Sequence, residues 1–273
     1  MQLQNAKARF EEQGVKLAAI SYDSPAILGD FAGRDKIEFP LLADPDSKVI
    51  RSFNVLNEQA KGMTKGLAHP GYFYIDAGGV IREKYFEAQY TNRFTANNVF
   101  GRLFPELTQE VRQNVQAPHL RLTMAQSDAT VVTGSRVTLS AEMELPPDTH
   151  VYAPGVTGYR PIQLILHPSR DIAIQPAVYP EPKVLYLEAI KEQVPVFEGK
   201  FRVQEDVIVT FSKVRDGARS LVSSDKTISI RGELQYQACD KTICYPPTSV
   251  PVAWHLKVEP LDRKRSPAAI QHK

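Results

Sequence analysis

Apolar and polar residues follow two different rhythms along the chain. Through residues 1–104 helical and extended spacings alternate. Leu3, Ala6 and Phe10 recur at helical spacing, and Gly14 follows where a residue tolerant of the left-handed conformation closes a helix. "VKLAAISY" (15–22) is a short apolar run, the pattern of a strand buried on both faces when helices cover each side. Ser24-Pro25 predicts a helix start, because serine caps the first amides and proline fits the first turn. "FPLLADPDSKVIRSFNV" (39–55) predicts an extended piece, a turn at Asp44-Pro45 and a helix carrying Val49, Ile50 and Phe53. "GYFYIDAGGVIREKYF" (71–86) predicts a β-hairpin around Gly78-Gly79, and residues 92–104 a further amphipathic helix.

From His119 onward the period becomes two. "HLRLTMA", "RVTLSAEMEL", "IQLILH", "DVIVTFSKV", "TISIRGELQYQA" and "VPVAWHLKVE" alternate or run apolar, with turn residues between them. Short strands punctuated in this way predict a β-sandwich. Between the halves, "ELTQEVRQNVQAPHL" (106–120) reads as a polar helical piece ended by Pro118. The expected organisation is therefore an α/β domain over 1–104, a linker over 105–118, and a sandwich over 119–260. Residues 261–273, with Arg263, Lys264 and Arg265, are expected as a disordered basic tail.

Composition narrows the function classes. A hydrophobic share of 42% is enough for a buried core in each half. A formal charge of +2 gives no reason to expect a nucleic-acid partner. No apolar run is long enough to cross a bilayer, and no signal-peptide pattern stands at the N-terminus. "KGMTKG" lacks the spacing of a phosphate loop. Asp44 and Asp46 fit a helix start better than a calcium loop. No cofactor is called for.

The chemistry-bearing residues are the two cysteines, Cys239 and Cys244, with four residues between them. A structural zinc site wants four cysteine or histidine ligands, whereas the six histidines here are scattered, so no metal is expected. A structural disulfide is compatible with the spacing, since the two can face each other across a hairpin. Closing so short a loop restricts the unfolded chain by only about 2 kcal/mol, against about 4.7 kcal/mol for a hundred-residue loop. An exchangeable redox couple is equally compatible, because hairpin loops at a sandwich rim are accessible. Pro246-Pro247 keeps the following segment at an edge. Residue chemistry alone leaves these two readings open.

"YQACDKTICYPP" (236–247) resembles the cysteine motif of the N-terminal domain of DsbD-type thiol:disulfide interchange proteins. "THVYAPG" and "YPEPK…VFEGKF" stand in the order that family shows. The resemblance covers roughly residues 120–258 and implies an immunoglobulin-like sandwich in the periplasm that exchanges thiols with a partner protein. It implies that Cys239 and Cys244 are the exchanging pair and that Phe197 is the aromatic of a cap loop over the disulfide. Tyr152, Tyr236 and Tyr245 are further candidates for the shield. The cysteine spacing is one residue shorter than in the best-known members of that family.

"FPLLADPDSKVIRSFNV" followed by "HPGYFYIDAGGVI" resembles the AhpC/TSA redoxin group of the thioredoxin fold. That resemblance implies a cis bond at Pro70, ahead of a strand. It also implies a catalytic cysteine before the helix that begins near Gln2, yet no cysteine precedes position 239. A thiolate is the nucleophile of peroxide and disulfide chemistry, so this half is not expected to be a self-sufficient peroxidase. Met1 is expected to be an internal methionine of a longer protein. The fold class expected is thus a truncated thioredoxin-like α/β sheet followed by an immunoglobulin-like β-sandwich. The function expected is thiol–disulfide exchange at Cys239–Cys244, with a non-catalytic scaffold or a fragment of an antioxidant redoxin as the alternatives.

Overall fold

The computed structural model describes residues 2–107, 111–187, 191–210, 226–262 and 264–271. Arg263 and the end of the "DVIVTFSKV" run beyond residue 210 lie outside them. The chain divides into two compact units, one formed by Met1–Thr108 with Leu261–Lys273 and the other by Gln109–Pro260.

In the first unit, helix Gln2–Glu12 packs its Ala6 and Phe10 against Ala96, Val99 and Phe100 of helix Ala96–Leu103. The Phe10 and Phe100 rings meet edge to face at 5.2 Å. Helix Pro25–Asp35 starts where Ser24 accepts a hydrogen bond from the Ile27 amide at 3.4 Å. Asp44 is buried and its carboxylate accepts from the amides of Lys48 and Ile50, both at 2.9 Å. That aspartate holds the start of the short helix Lys48–Ser52. In the hairpin Gly71–Ile75/Ile81–Phe86, Gly79 takes a φ of 80° and the Asp76 carboxylate accepts from the Gly78 and Val80 amides.

Two expectations for this unit need correction. Among the described residues Ala19–Ser21 pairs, in parallel, with Leu41–Ala43 alone, in a sheet separate from the hairpin. With so little covering them, Ile20 and Leu42 remain 41% and 51% exposed, so the strand is not buried on both faces. The His69–Pro70 bond is trans, so the cis assignment at Pro70 does not hold. The segment is set instead by backbone bonds from the His69 amide to Val55 and from the Glu87 amide to the Pro70 carbonyl.

The second unit is built from strands alone among the described residues. One sheet orders Ile172–Ile174, Lys200–Val209, Ser135–Glu144, Arg121–Gln126 and Val111–Val115. A second orders Gln163–Leu166, Thr227–Tyr236, Thr248–Val258 and Thr130–Val131. Val111–Val115, expected as part of a helical linker, is thus an outer strand paired antiparallel with Arg121–Gln126. Its partner strand supplies the hydrogen bonds that outweigh a weak local helical pattern.

Period-two alternation builds the core between these sheets. Val137, Leu139, Ala141 and Met143 point inward from one sheet, and Ile228, Ile230, Leu234, Val252, Trp254 and Leu256 from the other. Trp254 is buried and donates its indole N–H to the Ala125 carbonyl at 2.9 Å, which satisfies its one polar atom. Gly232 allows a close crossing, since a Cβ there would stand 2.4 Å from the Ile165 carbonyl oxygen.

A third, smaller sheet orders Lys183–Leu187, Glu192–Glu198, His150–Tyr152 and Ala238–Cys239. The chain leaves it through Gly199, whose φ of 62° is readily open to glycine, and enters strand Lys200–Val209 of the first sheet.

Candidate redox site

The small sheet has two faces of opposite character. In its register Val151 pairs with Phe197 and with Ala238, and all three side chains belong to the main sandwich core. The alternate residues Tyr152, Val194, Val196 and Cys239 form a separate cluster on the other face, covered by Val156, Tyr159 and Leu185. Cys239 and Cys244 are joined by a disulfide, with Cα atoms 4.0 Å apart across an antiparallel bridge. The two sulfur-bearing residues differ in access: Cys239 is 1% exposed, whereas Cys244 is exposed on the hairpin.

The loop between them is organised by one carboxylate. Asp240 Oδ1 accepts from the Thr242 amide and hydroxyl at 2.7 Å each and from the Ile243 amide at 2.9 Å. Its Oδ2 accepts from the Tyr245 hydroxyl at 2.8 Å. These donors, the Thr242 hydroxyl foremost, hold its carboxyl well below the usual carboxylate range. The same contact raises the Tyr245 phenol, because losing its proton would set a second negative charge beside Asp240. Lys241 reaches out to Asp148 at 2.7 Å on the surface.

Each tyrosine singled out in the sequence has a distinct place. Tyr152 is buried, and its hydroxyl lies 3.7 Å from Sγ of both cysteines. A disulfide sulfur carries no hydrogen, so the hydroxyl is the donor. Burial pushes the Tyr152 phenol up. Tyr236 points the other way, into the main core, and donates to the Pro118 carbonyl at 2.6 Å. Tyr245 lies flat against the His119 ring, with centroids 3.7 Å apart, and braces the loop from the side.

Phe197 is not over the sulfurs. It is 4% exposed, stacked on Phe201 at 4.8 Å, and faces the main core because the preceding residue on its strand, Val196, takes the sulfur face. The cover comes from a residue that pattern reading missed, Tyr159. Its ring stacks on Tyr152 at 4.3 Å, and its hydroxyl donates to Glu192 at 2.8 Å, which pushes the phenol up to about 12. The signal was present in "PGVTGYRP", an aromatic in a glycine-punctuated loop that follows the "HVY" strand. His150 was missed as well. It is the direct cross-strand partner of Cys239, buried, with no hydrogen-bond partner at Nε2. His255, one of the scattered histidines, lies with its Nδ1 3.0 Å from the Ser229 hydroxyl. Among the described residues no three His, Cys, Asp or Glu side chains gather to hold a metal ion.

A buried sulfur, an exposed sulfur and a covering aromatic loop on the rim of a β-sandwich describe a thiol–disulfide redox module. Residues 121–253 match the family model described as "Thiol:disulfide interchange protein DsbD, N-terminal", and residues 1–84 match that of the AhpC/TSA family. Over 84 residues the chain is 32% identical to alkyl hydroperoxide reductase C of Staphylococcus epidermidis, covering 29% of this chain and 42% of that protein. It is 33% identical to peroxiredoxin Bcp of Escherichia coli over 84 residues, covering 30% and 54% respectively. The chain thus spans about half the length of these curated relatives.

Among solved structures, the N-terminal periplasmic domain of ScsB from Proteus mirabilis aligns with a TM-score of 0.35 at 15% identity, over 53% of this chain and 50% of that one. The reduced N-terminal domain of DsbD from Neisseria meningitidis aligns with a TM-score of 0.29 at 12% identity, over 58% and 98%. The family matches together with the Cys239–Cys244 disulfide support a thiol–disulfide redox function.

Proposed function

We propose that the chain passes reducing equivalents by exchanging its Cys239–Cys244 disulfide with a partner thiol protein. The observation that carries this reading is the asymmetry of access: Cys244 is exposed while Cys239 is buried beneath Tyr152. An incoming thiolate must approach a sulfur in line with the S–S bond, and only the Cys244 side is open to a macromolecule. The partner sulfur bonds to Cys244, the disulfide breaks, and Cys239 leaves as a thiolate with the Tyr152 hydroxyl close by. A second thiolate of the partner then attacks the partner's sulfur in the mixed disulfide and releases Cys244, so the partner becomes a disulfide and the cysteine pair a dithiol. Toward an acceptor that carries a disulfide the steps run in reverse, Cys244 attacking first and Cys239 then restoring the starting bond.

In this reading Tyr152 and Tyr159 form the shield, Tyr245 braces the loop, and Phe197 and Tyr236 act through packing. Residues 119–260 form the exchange module, and the AhpC/TSA-like half, without a cysteine, has a recognition or scaffold role. A disulfide of this kind persists in an oxidising compartment, so the work is extracytoplasmic. No described helix is long and apolar enough to cross a membrane.

Trapping tests the assignment. Cys239→Ser leaves the exposed Cys244 to form a mixed disulfide that cannot be resolved, so this variant accumulates covalent adducts with a thiol protein partner. Cys244→Ser, with only the buried sulfur, forms far fewer. Equal trapping by both, or by neither, rules out the proposed order of attack.

A further inference from the structure

The sulfur face holds one group that the exchange scheme leaves idle. His150 is 5% exposed, and its Nε2 has no hydrogen-bond partner. Leaving such a nitrogen buried and unpaired is costly in any single state of the protein. Its position is specific. His150 pairs in register with Cys239 on one side and with Glu198 on the other, and directly opposed residues bring their Cβ atoms to about 4.5–5.5 Å. The Tyr152 ring, whose hydroxyl reaches both sulfurs, meets the imidazole edge-on at 5.4 Å. In the disulfide Cys239 has no proton to share, so a proton acceptor beside it has nothing to do. Once the bond is broken, Cys239 becomes a buried thiol that needs an acceptor.

We propose that His150 is the proton acceptor of the reduced Cys239 thiol, a role that rests on the exchange function above. In the mixed disulfide, Cys239 Sγ gives its proton to Nε2 and attacks Cys244 Sγ. The bond between Cys244 and the partner breaks, the partner sulfur leaves with the electron pair, and it takes the proton back from the imidazolium. Counted from the reduced module, whose Cys244 thiolate first opens a disulfide of the partner, two electrons pass from the cysteine pair to that disulfide, which is the oxidant. An acceptor must be neutral beforehand. Burial lowers the imidazole's affinity for protons, while the carboxylates of Glu198 and Asp240 oppose this and Tyr152 contributes a neutral ring edge. Burial is the larger influence. The net direction leaves the ring uncharged near neutral pH.

The test uses the full chain with His150→Gln and His150→Phe, equilibrated with glutathione buffers of graded ratio. Because Nε2 gains a partner only after reduction, His150 favours the dithiol. Both variants should shift the equilibrium about tenfold toward the disulfide, about 30 mV more negative for this two-electron couple. The rate of resolving a mixed disulfide should fall in the wild type as acid protonates the imidazole. In the variants it should instead follow the higher titration of an unassisted thiol.

His150→Phe separates chemistry from packing, since it fills the space without an unpaired nitrogen and should melt no earlier than the wild type in the disulfide form. Unchanged potentials and pH profiles in both variants, with the wild type exchanging normally, overturn the role of His150 alone. A wild-type disulfide that never equilibrates with glutathione overturns the exchange function and this inference together.

Discussion

The two faces of the small sheet are made from neighbouring residues on the same strands, yet they do opposite work. Val151, Phe197 and Ala238 enter a core shared with two larger sheets, where their contacts are spent on holding the sandwich together. His150, Tyr152, Val196 and Cys239, each one residue away, lie on a thinner face that, among the described residues, Val156 and Tyr159 of a loop and Leu185 of an edge strand cover. The difference shows how a rigid module can present a reactive bond. The inner face fixes the backbone, which leaves the outer face to carry the reactive bond. It also explains why an aromatic one position out of phase cannot shield the sulfurs.

The most forceful way to break this comparison is to truncate the inner face. Phe197→Ala should destabilise the sandwich by about 3–5 kcal/mol in chemical denaturation, as for other buried aromatics. It should leave the rate of disulfide reduction by a small thiol unchanged under native conditions. A faster reduction with full stability would return Phe197 to the sulfur face.

A second measurement sharpens the inner side. Glu205 lies on the inward register of strand Lys200–Val209 with Phe201, Val203 and Val207, buried and with one carboxylate oxygen unpartnered. Burial pushes it up to about 7. The folded state therefore keeps a proton that the unfolded chain, near the ordinary value of 4.5, gives up first. Stability is fully present below that ordinary value and falls as pH rises through the window up to about 7. The loss amounts to ~3 kcal/mol. Denaturation across this pH range should show the decline in the wild type and a flatter profile in Glu205→Gln.

The smallest effect on stability belongs to the outer face. Tyr152→Phe removes only the hydroxyl near the two sulfurs and should change stability by about 1 kcal/mol or less. Reduction by dithiothreitol should slow severalfold, because the departing Cys239 thiolate loses its nearby donor. A large stability loss without a kinetic effect would make Tyr152 a packing residue like Phe197.

Much of this was legible in the amino-acid pattern, and the failures have physical causes. The cysteine hairpin, the Ser24 cap and the Gly78-Gly79 turn are local, carried by residues within a few positions of one another. The sandwich strands were legible because alternation survives in single segments. Which face Phe197 takes depends on its register against Val151 of the neighbouring strand, a long-range property that a motif does not carry. Val111–Val115 is a strand because Arg121–Gln126 pairs with it, and "EVRQNV" read alone has no such partner. His150 became visible only when folding brought a histidine opposite a cysteine, whereas the glycine-punctuated loop of Tyr159 was legible but its place on Tyr152 was not.

The Asp240 cage has a consequence for acid tolerance. A carboxylate whose proton affinity is depressed by several donors contributes its ordering effect above its unfolded titration point and loses it only deep in acid. The four residues between the sulfurs therefore keep one geometry well into acid. A module fitted with such a clasp goes on offering Cys244 at the same angle when its surroundings turn sour.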